Sequence, residues 1–385
     1  MRFRVERDEL ADAVVWTART LPTRPTSQLQ VLAGLLLESV PNGLRLSAFD
    51  YEVAARADIS ATVAEEGRVL VSGRLLAEIT RSLPAAPVEV SVDGSRAVIT
   101  CGSARFTLPT LPVEDYPALP GLPPVTGRVG STAFAAAVGQ VSIAAGRDDT
   151  LPVLTGVRVE LDGERLTLAA TDRYRLAVRE LSWRPEDDAA IGTLLVPART
   201  LADTAKTLAG AGAEIAIAIG SGPSGEALAG FSCGERESST RLIDGQFPDY
   251  RRLLPASSPL SAEVEIAPLV DAVKRVALVA ARTAPVMLTF RSEELVLEAG
   301  TGGEAQAREA VPVHFDGPEL SIAFNPGYLL DGLGALESDS VCVGFATAED
   351  PAEAARKPAV FTGKSGDAPV GADYRYLLMP VRLAG

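Results

Sequence analysis

SAFDYEVAARADIS, residues 47–60, and AATDRYRLAVRELS, residues 169–182, are two versions of one phrase. Just upstream of the phrase stands an alternating leucine pair, Leu44-Arg-Leu46 in the first case and Leu166-Thr-Leu168 in the second. A third pair, Leu295-Val-Leu297, has its own following run, Ala305 to Val311. Alternation of period two puts one side of a strand on a core, so each passage predicts two successive strands: the second members are Val53 to Ile59, Arg175 to Leu181 and Ala305 to Val311.

Ahead of each strand pair lies a helical pattern. Leu10, Val14 and Thr17, then Phe134, Val138 and Val141, then Leu269, Val273 and Val276 all sit at i, i+4, i+7, one face of a helix. Asp8 and Ser131 are expected to cap the first two, and Pro268 suits the first turn of the third. Behind each strand pair comes a short strand running into a second helix: VLVSGRLLAEI, LLVPARTLADT and IAFNPGYLLDG. Aligned on Leu76, Leu201 and Leu329, these are spaced by 125 and 128 residues. Three landmarks in one order at one period identify an internal repeat. The predicted fold class is α+β: three tandem domains, each with two helices packed on antiparallel sheet. The boundaries are 1–125, 126–254 and 255–385, at the proline-rich joins Leu119 to Gly127 and Leu253 to Leu260.

With 47% hydrophobic residues, the 385-residue chain can fill a core in each domain. No stretch is apolar over the roughly 20 residues that span a bilayer, and MRFRVERDEL has no apolar centre, so no membrane role and a cytoplasmic location are expected. Cys101, Cys233 and Cys342 are odd in number and far apart, which suits buried free thiols and offers no metal spacing. The formal charge of −14 opposes nucleic-acid binding unless positive charge is segregated on one surface.

The catalytic signals are weak. The only histidine, His314, excludes a histidine-rich metal site. Gly220-Ser-Gly222-Pro-Ser-Gly225 matches the dinucleotide fingerprint in spacing, but Pro223 interrupts it and a strand-like EALAGFSCGE follows. A hairpin loop fits better than a helix start facing a pyrophosphate. Glu186-Asp187-Asp188 after Pro185 reads as a solvated turn, without the paired strand aspartates of two-metal chemistry. No active site, cofactor or metal is expected, and the chain reads as a binding or scaffold protein.

Four strings carry a family resemblance: MRFRVERDEL from Met1, ATDRYRLA from Ala170, LIDGQFPDYRRLLP from Leu242 and YLLMPVRL from Tyr376. Together with the triplication, they resemble the beta subunit of bacterial DNA polymerase III, in an actinobacterial wording. The likeness runs from Met1 to the last residues. It implies a DNA sliding clamp without catalytic activity, a processivity subunit of a DNA-directed DNA polymerase. Two subunits pair head to tail into a six-domain ring, with helices lining the hole and sheets outside. Only the inner helices then need be basic, which removes the charge conflict.

The basic residues partly follow that requirement. Arg74 and Arg81 stand at i, i+7 on the second helix of domain one, Arg199 and Lys206 at the same spacing on that of domain two, and Lys274, Arg275 and Arg282 on the first helix of domain three. The second helix of domain three breaks the pattern with Asp331 and Glu337. By resemblance, Arg24, Arg105, Arg147, Arg199 and Arg252 match positions near DNA. Phe106 and Leu108 match an edge of domain one that packs near Leu278 and Val279 of the other subunit.

The resemblance also implies a partner pocket between domains two and three. It is formed by Leu154, Thr171, Arg173, Tyr174, Arg175, Leu176, Pro248, Leu253, Asn325, Tyr328, Ala359, Leu377, Met379, Pro380, Val381 and Arg382. Short linear motifs of the polymerase alpha subunit, the clamp loader, and repair and translesion polymerases would insert there, and cyclic-peptide inhibitors would compete. Many family members carry glycine then histidine where this chain has Arg173 and Tyr174, a departure expected to narrow the pocket. Two other readings stay open: an enzyme using the glycine loop, and a second clamp copy specialised for repair or inhibitor tolerance.

Overall fold

The computed structural model describes residues 1–22, 30–187, 191–222, 225–255, 258–280, 284–300, 305–346, 350–364 and 373–382. The chain forms two compact units, one of residues 1–134, 183–190 and 203–242, the other of 135–182, 191–202 and 243–385.

Each repeat contains the two expected helices. They are α1 (Arg7–Thr17), α2 (Gly73–Ser82), α3 (Ser131–Ser142), α4 (Ala198–Leu208), α5 (Ile266–Val276) and α6 (Pro326–Gly334). The periodic faces hold. Leu10, Val14, Thr17, Phe134, Val138, Val141, Leu269, Val273 and Val276 are all buried. Removing each large apolar side chain from water contributes about 1.5–3 kcal/mol, which outweighs the modest propensity of such short helices.

The helix starts differ from expectation. Glu6 precedes α1 without a side-chain cap, so Asp8 sits inside the first turn, where its charge favours the helix dipole. Ser131 opens α3, but its hydroxyl donates to the Gly212 carbonyl at 2.7 Å instead of capping. Pro268 lies in the first turn of α5, as expected. The first helix of domain three ends at Val276 and a 3-10 turn follows to Val279; Arg282, expected on that helix, lies outside the described residues.

The strand pairs repeat as antiparallel hairpins, the third one residue longer between partners than the first two. Gly43–Phe49 pairs with Val53–Ser60 through Leu46 opposite Ala57; Arg165–Thr171 pairs with Arg175–Ser182 through Leu168 opposite Arg179. Glu294–Ala299 pairs with Ala307–Pro312 through Leu297 opposite Glu309. The glycine loop is a hairpin: Glu214–Ser221 and Ala227–Cys233 are antiparallel, and Gly222 N–H donates to the Glu226 carbonyl at 2.8 Å.

Within the first unit, Val53–Ser60 also pairs with Arg236–Arg241, from Ala57 opposite Arg236 to Val53 opposite Thr240. Within the second, Arg175–Ser182 pairs with Tyr374–Leu378, from Arg175 opposite Leu378 to Arg179 opposite Tyr374. The same strand of the repeat therefore makes the same outward junction twice. Among the described residues, its third copy, Ala307–Pro312, pairs only with Glu294–Ala299.

Candidate partner-binding cleft

The cleft is built from three short pieces of backbone in the second unit. The first is the turn Asp172-Arg173-Tyr174-Arg175. Asp172 Oδ1 accepts from the Tyr174 and Arg175 N–H groups at 3.0 and 3.1 Å, which forces Arg173 to φ 79°. Domain one makes the same turn: Asp50 Oδ1 accepts from Glu52 and Val53, with Tyr51 at φ 75°. A left-handed conformation costs a non-glycine residue roughly 1–2 kcal/mol, here offset by the aspartate's hydrogen bonds.

The second piece is the start of α6. Asn325 caps it by accepting from Tyr328 N–H at 3.1 Å, and Pro326 occupies the first helical position. The third is the chain after α3, where Gly146 N–H donates to the Leu154 carbonyl at 2.7 Å.

Between these pieces lies a cleft of about 680 Å³ lined by Leu154, Arg173, Tyr174, Arg175, Asn325 and Tyr328, all expected from the sequence. Ala145, Gly146, Arg147, Asp148, Leu151, Asp172, Gly327 and Asp331 complete it. The Tyr174 ring stacks on Tyr328 at 6.4 Å between centroids, and the Arg175 guanidinium lies 4.3 Å from the Tyr328 centroid. Arg175 is buried, bonded to Asp172 at 2.9 Å and Asp331 at 2.6 Å. Burial works against its charge, but Asp331, Tyr376 and Asp172 outweigh that and hold it above the ordinary arginine value. Burial likewise pushes the Tyr328 hydroxyl up, helped by Asp172.

Beneath this wall, Thr171 is buried and donates to the Arg175 carbonyl at 2.7 Å. Leu176 and Leu377 pack into an apolar cluster with Phe247, Tyr250 and Val360. Buried Ala359 lies opposite Leu378. Pro248 precedes the turn Tyr250–Leu253, whose last residue, Leu253, is half exposed. Met379 N–H donates to the Tyr174 carbonyl at 2.8 Å.

The structure does not bring the whole expected set to one place. Pro380, Val381 and Arg382 line a separate groove of about 500 Å³ with Met287, Ser321 and Arg356, where Val381 N–H bonds the Ala323 carbonyl. Arg147, expected near DNA, lines the cleft. The residues that sequence reading missed are mostly the loop after α3, which has no periodicity to mark it. Asp331 did leave a signal: it was the acidic residue on a helix expected to be basic.

Of the other basic residues, Arg74, Arg81, Arg105, Arg199, Lys206 and Lys274 are exposed, and Arg74 donates to the Pro22 carbonyl at 2.8 Å. Arg252 is paired with Asp249 at 2.7 Å, and Arg275 with Glu309 at 3.0 Å. Arg24 lies outside the described residues. Phe106 is partly exposed and Leu278 is 83% exposed, while Val279 is half-buried. Leu108 is buried within its own chain, so its side chain is not presented to a partner.

His314 is exposed beside Asp316, and the three cysteines are free. Among the described residues no cluster of His, Cys, Asp or Glu suits a metal ion, and no helix is long and apolar enough to cross a membrane.

Family models for the DNA polymerase III beta subunit match in series: the N-terminal domain over residues 1–120, the central domain over 128–249 and the C-terminal domain over 251–360. The chain is 54% identical over 385 residues to a beta sliding clamp of Streptomyces coelicolor, covering 100% of both chains. It is 43% identical over 383 residues to the beta sliding clamp homolog GriR of Streptomyces muensis, covering 99% of each. Its fold matches a sliding clamp of Pseudomonas aeruginosa bound to griselimycin, with a TM-score of 0.89, 27% identity and full coverage of both chains.

Proposed function

The chain belongs to the family of the DNA polymerase III beta subunit, the sliding clamps, and on that premise we propose that two copies close head to tail around duplex DNA and tether the replicative polymerase to it. One observation supports this reading above all. The repeat makes its outward strand junction twice within the chain, and its third copy, Ala307–Pro312, keeps an open edge. The counterpart of Arg236–Arg241 and Tyr374–Leu378 in domain one is Ala104–Leu111, which over residues 104–109 pairs, among the described residues, only with Arg96–Cys101. Each chain thus offers two unlike open edges. Such edges join head to tail, and a closed ring leaves neither exposed to aggregation.

In this reading the boundaries at residues 125 and 254 separate the three clamp domains. The ring acts in the cytoplasm as the non-catalytic processivity subunit of a nucleotidyltransferase holoenzyme. Exposed Arg74, Arg81, Arg105, Arg199, Lys206 and Lys274 supply salt-sensitive contacts to the threaded duplex. The cleft at Tyr174 and Tyr328 captures short motifs of the polymerase alpha subunit, the clamp loader and repair or translesion polymerases, one at a time. The griselimycin complex of the P. aeruginosa clamp supports cyclic peptides as competitors. A second copy specialised for repair or inhibitor tolerance is the alternative. The 43% identity to GriR supports it less than the 54% identity to the S. coelicolor clamp supports the housekeeping role.

Two measurements test the proposal. Loaded protein is expected to stay on circular DNA and to run off once that DNA is linearised; equal retention on free-ended DNA refutes encirclement. Deleting residues 379–385 removes the Met379 bond to Tyr174. The truncated dimer is expected to remain folded and lose affinity for a clamp-binding peptide by calorimetry. Unchanged affinity moves the site elsewhere.

A further inference from the structure

A second cleft, of about 190 Å³, lies within the first unit. Asp12, Trp16 and Arg19 from α1 and the turn after it line one side, and Lys206 and Thr207 at the end of α4, with Arg236, line the other. Three cations and one carboxylate face a space large enough for a single anionic group. The Arg236 guanidinium lies over the Trp16 ring, 5.5 Å from its centroid, and is ion-paired with Asp12. Arg19 and Lys206 are exposed and make no ion pair among the described residues. Sequence reading singled out Lys206 but neither Arg19 nor Arg236, because nothing in the spacing of residues 19, 206 and 236 brings them together.

We propose that this cleft seats one backbone phosphate of the threaded duplex, and that Asp12 is a placeholder that competes with that phosphate for Arg236. The inference rests on the encirclement reading. The indole holds the guanidinium plane in a fixed orientation, and a planar fork serves a carboxylate and a phosphate equally well. Asp12 is 69% exposed, so its pair with Arg236 is screened by solvent and easily exchanged. When a phosphate arrives, Arg236 changes partner and Asp12 returns to water. When it leaves, the carboxylate takes the guanidinium back. Each step along DNA therefore swaps one ion pair for another and leaves no bare charge behind. Duplex contact at this cleft is kept weak, which lets a ring slide.

The test uses the full-length dimer with a short labelled duplex, followed by anisotropy across a salt titration, beside retention on circular DNA. Asp12→Asn is expected to bind the duplex more tightly at low salt and to steepen the slope of log K against log salt, and Arg236→Gln to weaken binding and flatten it. The two variants bracket the parent chain, and their slopes differ by about 0.9, the value for one phosphate contact. Over a fourfold rise in salt, Asp12→Asn then loses about 3.5-fold more affinity than Arg236→Gln. The combined variant is expected to match Arg236→Gln alone, because Asp12 acts only through Arg236. If Asp12→Asn tightens binding equally in both backgrounds, the effect is general charge and the placeholder is refuted. No change, or weaker binding, in Asp12→Asn also refutes it. Arg236→Lys keeps the charge without the fork and controls for folding, read as dimer mass. If the parent chain itself fails to run off linearised DNA, the encirclement reading falls; if it runs off and Asp12→Asn is silent, only the placeholder falls.

Discussion

Arg175 Nη1 donates to Asp331 Oδ2 at 2.6 Å, joining the turn of domain two to helix α6 of domain three across the floor of the cleft. Arg175 is 4% exposed and Asp331 45%, so the arginine's charge is the one that must be answered. Asp172 answers it from the other side at 2.9 Å. The acidic residue that broke the basic pattern of the helices is therefore the counter-ion of the cleft.

Asp331→Ala alone is expected to cost about 1–2 kcal/mol, because Asp172 still neutralises Arg175. Asp172→Ala together with Asp331→Ala is expected to cost more than the sum of the singles, since the buried charge is then unpaired. Thermal melts of the four combinations check this. Strict additivity contradicts the shared role.

Glu160 gathers the segment before Leu253. Its carboxylate accepts from Tyr250 at 2.9 Å and from Arg251 at 3.1 Å, and Arg158 bonds it as well. Burial pushes its pKa up, but the bonds from Arg251, Tyr250 and Arg158 prevail and hold it below the usual carboxylate value. A lowered folded value means stability that is fully present above the unfolded value, about 4.3, and lost as pH falls through the folded one. Glu160→Gln is expected to lower stability at neutral pH by about 1.5–3 kcal/mol and to flatten the acid limb of a melting-temperature profile. An unchanged acid limb counts against this.

The dimer test follows from exposure. Leu108 is 2% exposed within its own chain, so Leu108→Ala attacks the fold of domain one at a cost of about 2–5 kcal/mol. Phe106 and Leu278 are the accessible pair. Phe106→Ala with Leu278→Ala is expected to shift sedimentation from the dimer toward the 40.2 kDa monomer with secondary structure retained. An intact dimer excludes this contact.

Arg173 stands at φ 79°, where glycine is free of strain. Arg173→Gly is expected to stabilise the chain by about 0.5–1 kcal/mol net of the extra freedom it gives the unfolded state. Arg173→Val, β-branched at the same angle, is expected to destabilise it. Denaturant midpoints distinguish the two, and a destabilising glycine would mean the arginine side chain contributes more than its backbone costs.

By itself, the sequence determined the triplication, the buried faces of the helices and the succession of strands. All of these are local periodicities: a residue at i, i+4, i+7 or at every second position reports its own burial, and a repeat reports it three times. Leu46, Leu168 and Leu297 were legible for that reason, and so was the family to which their phrases belong. What the sequence left open were relations between residues far apart in the chain. Asp331 looked like an exception until Arg175 was found 156 positions away. Arg147 matched a position near DNA, and only the folded chain shows that it also lines the cleft with Tyr328. Leu108 looked like an interface residue until its side chain was found in the core. Charge pairing and burial depend on which distant surfaces meet, and strand pairing and helix packing decide that only once the chain is folded.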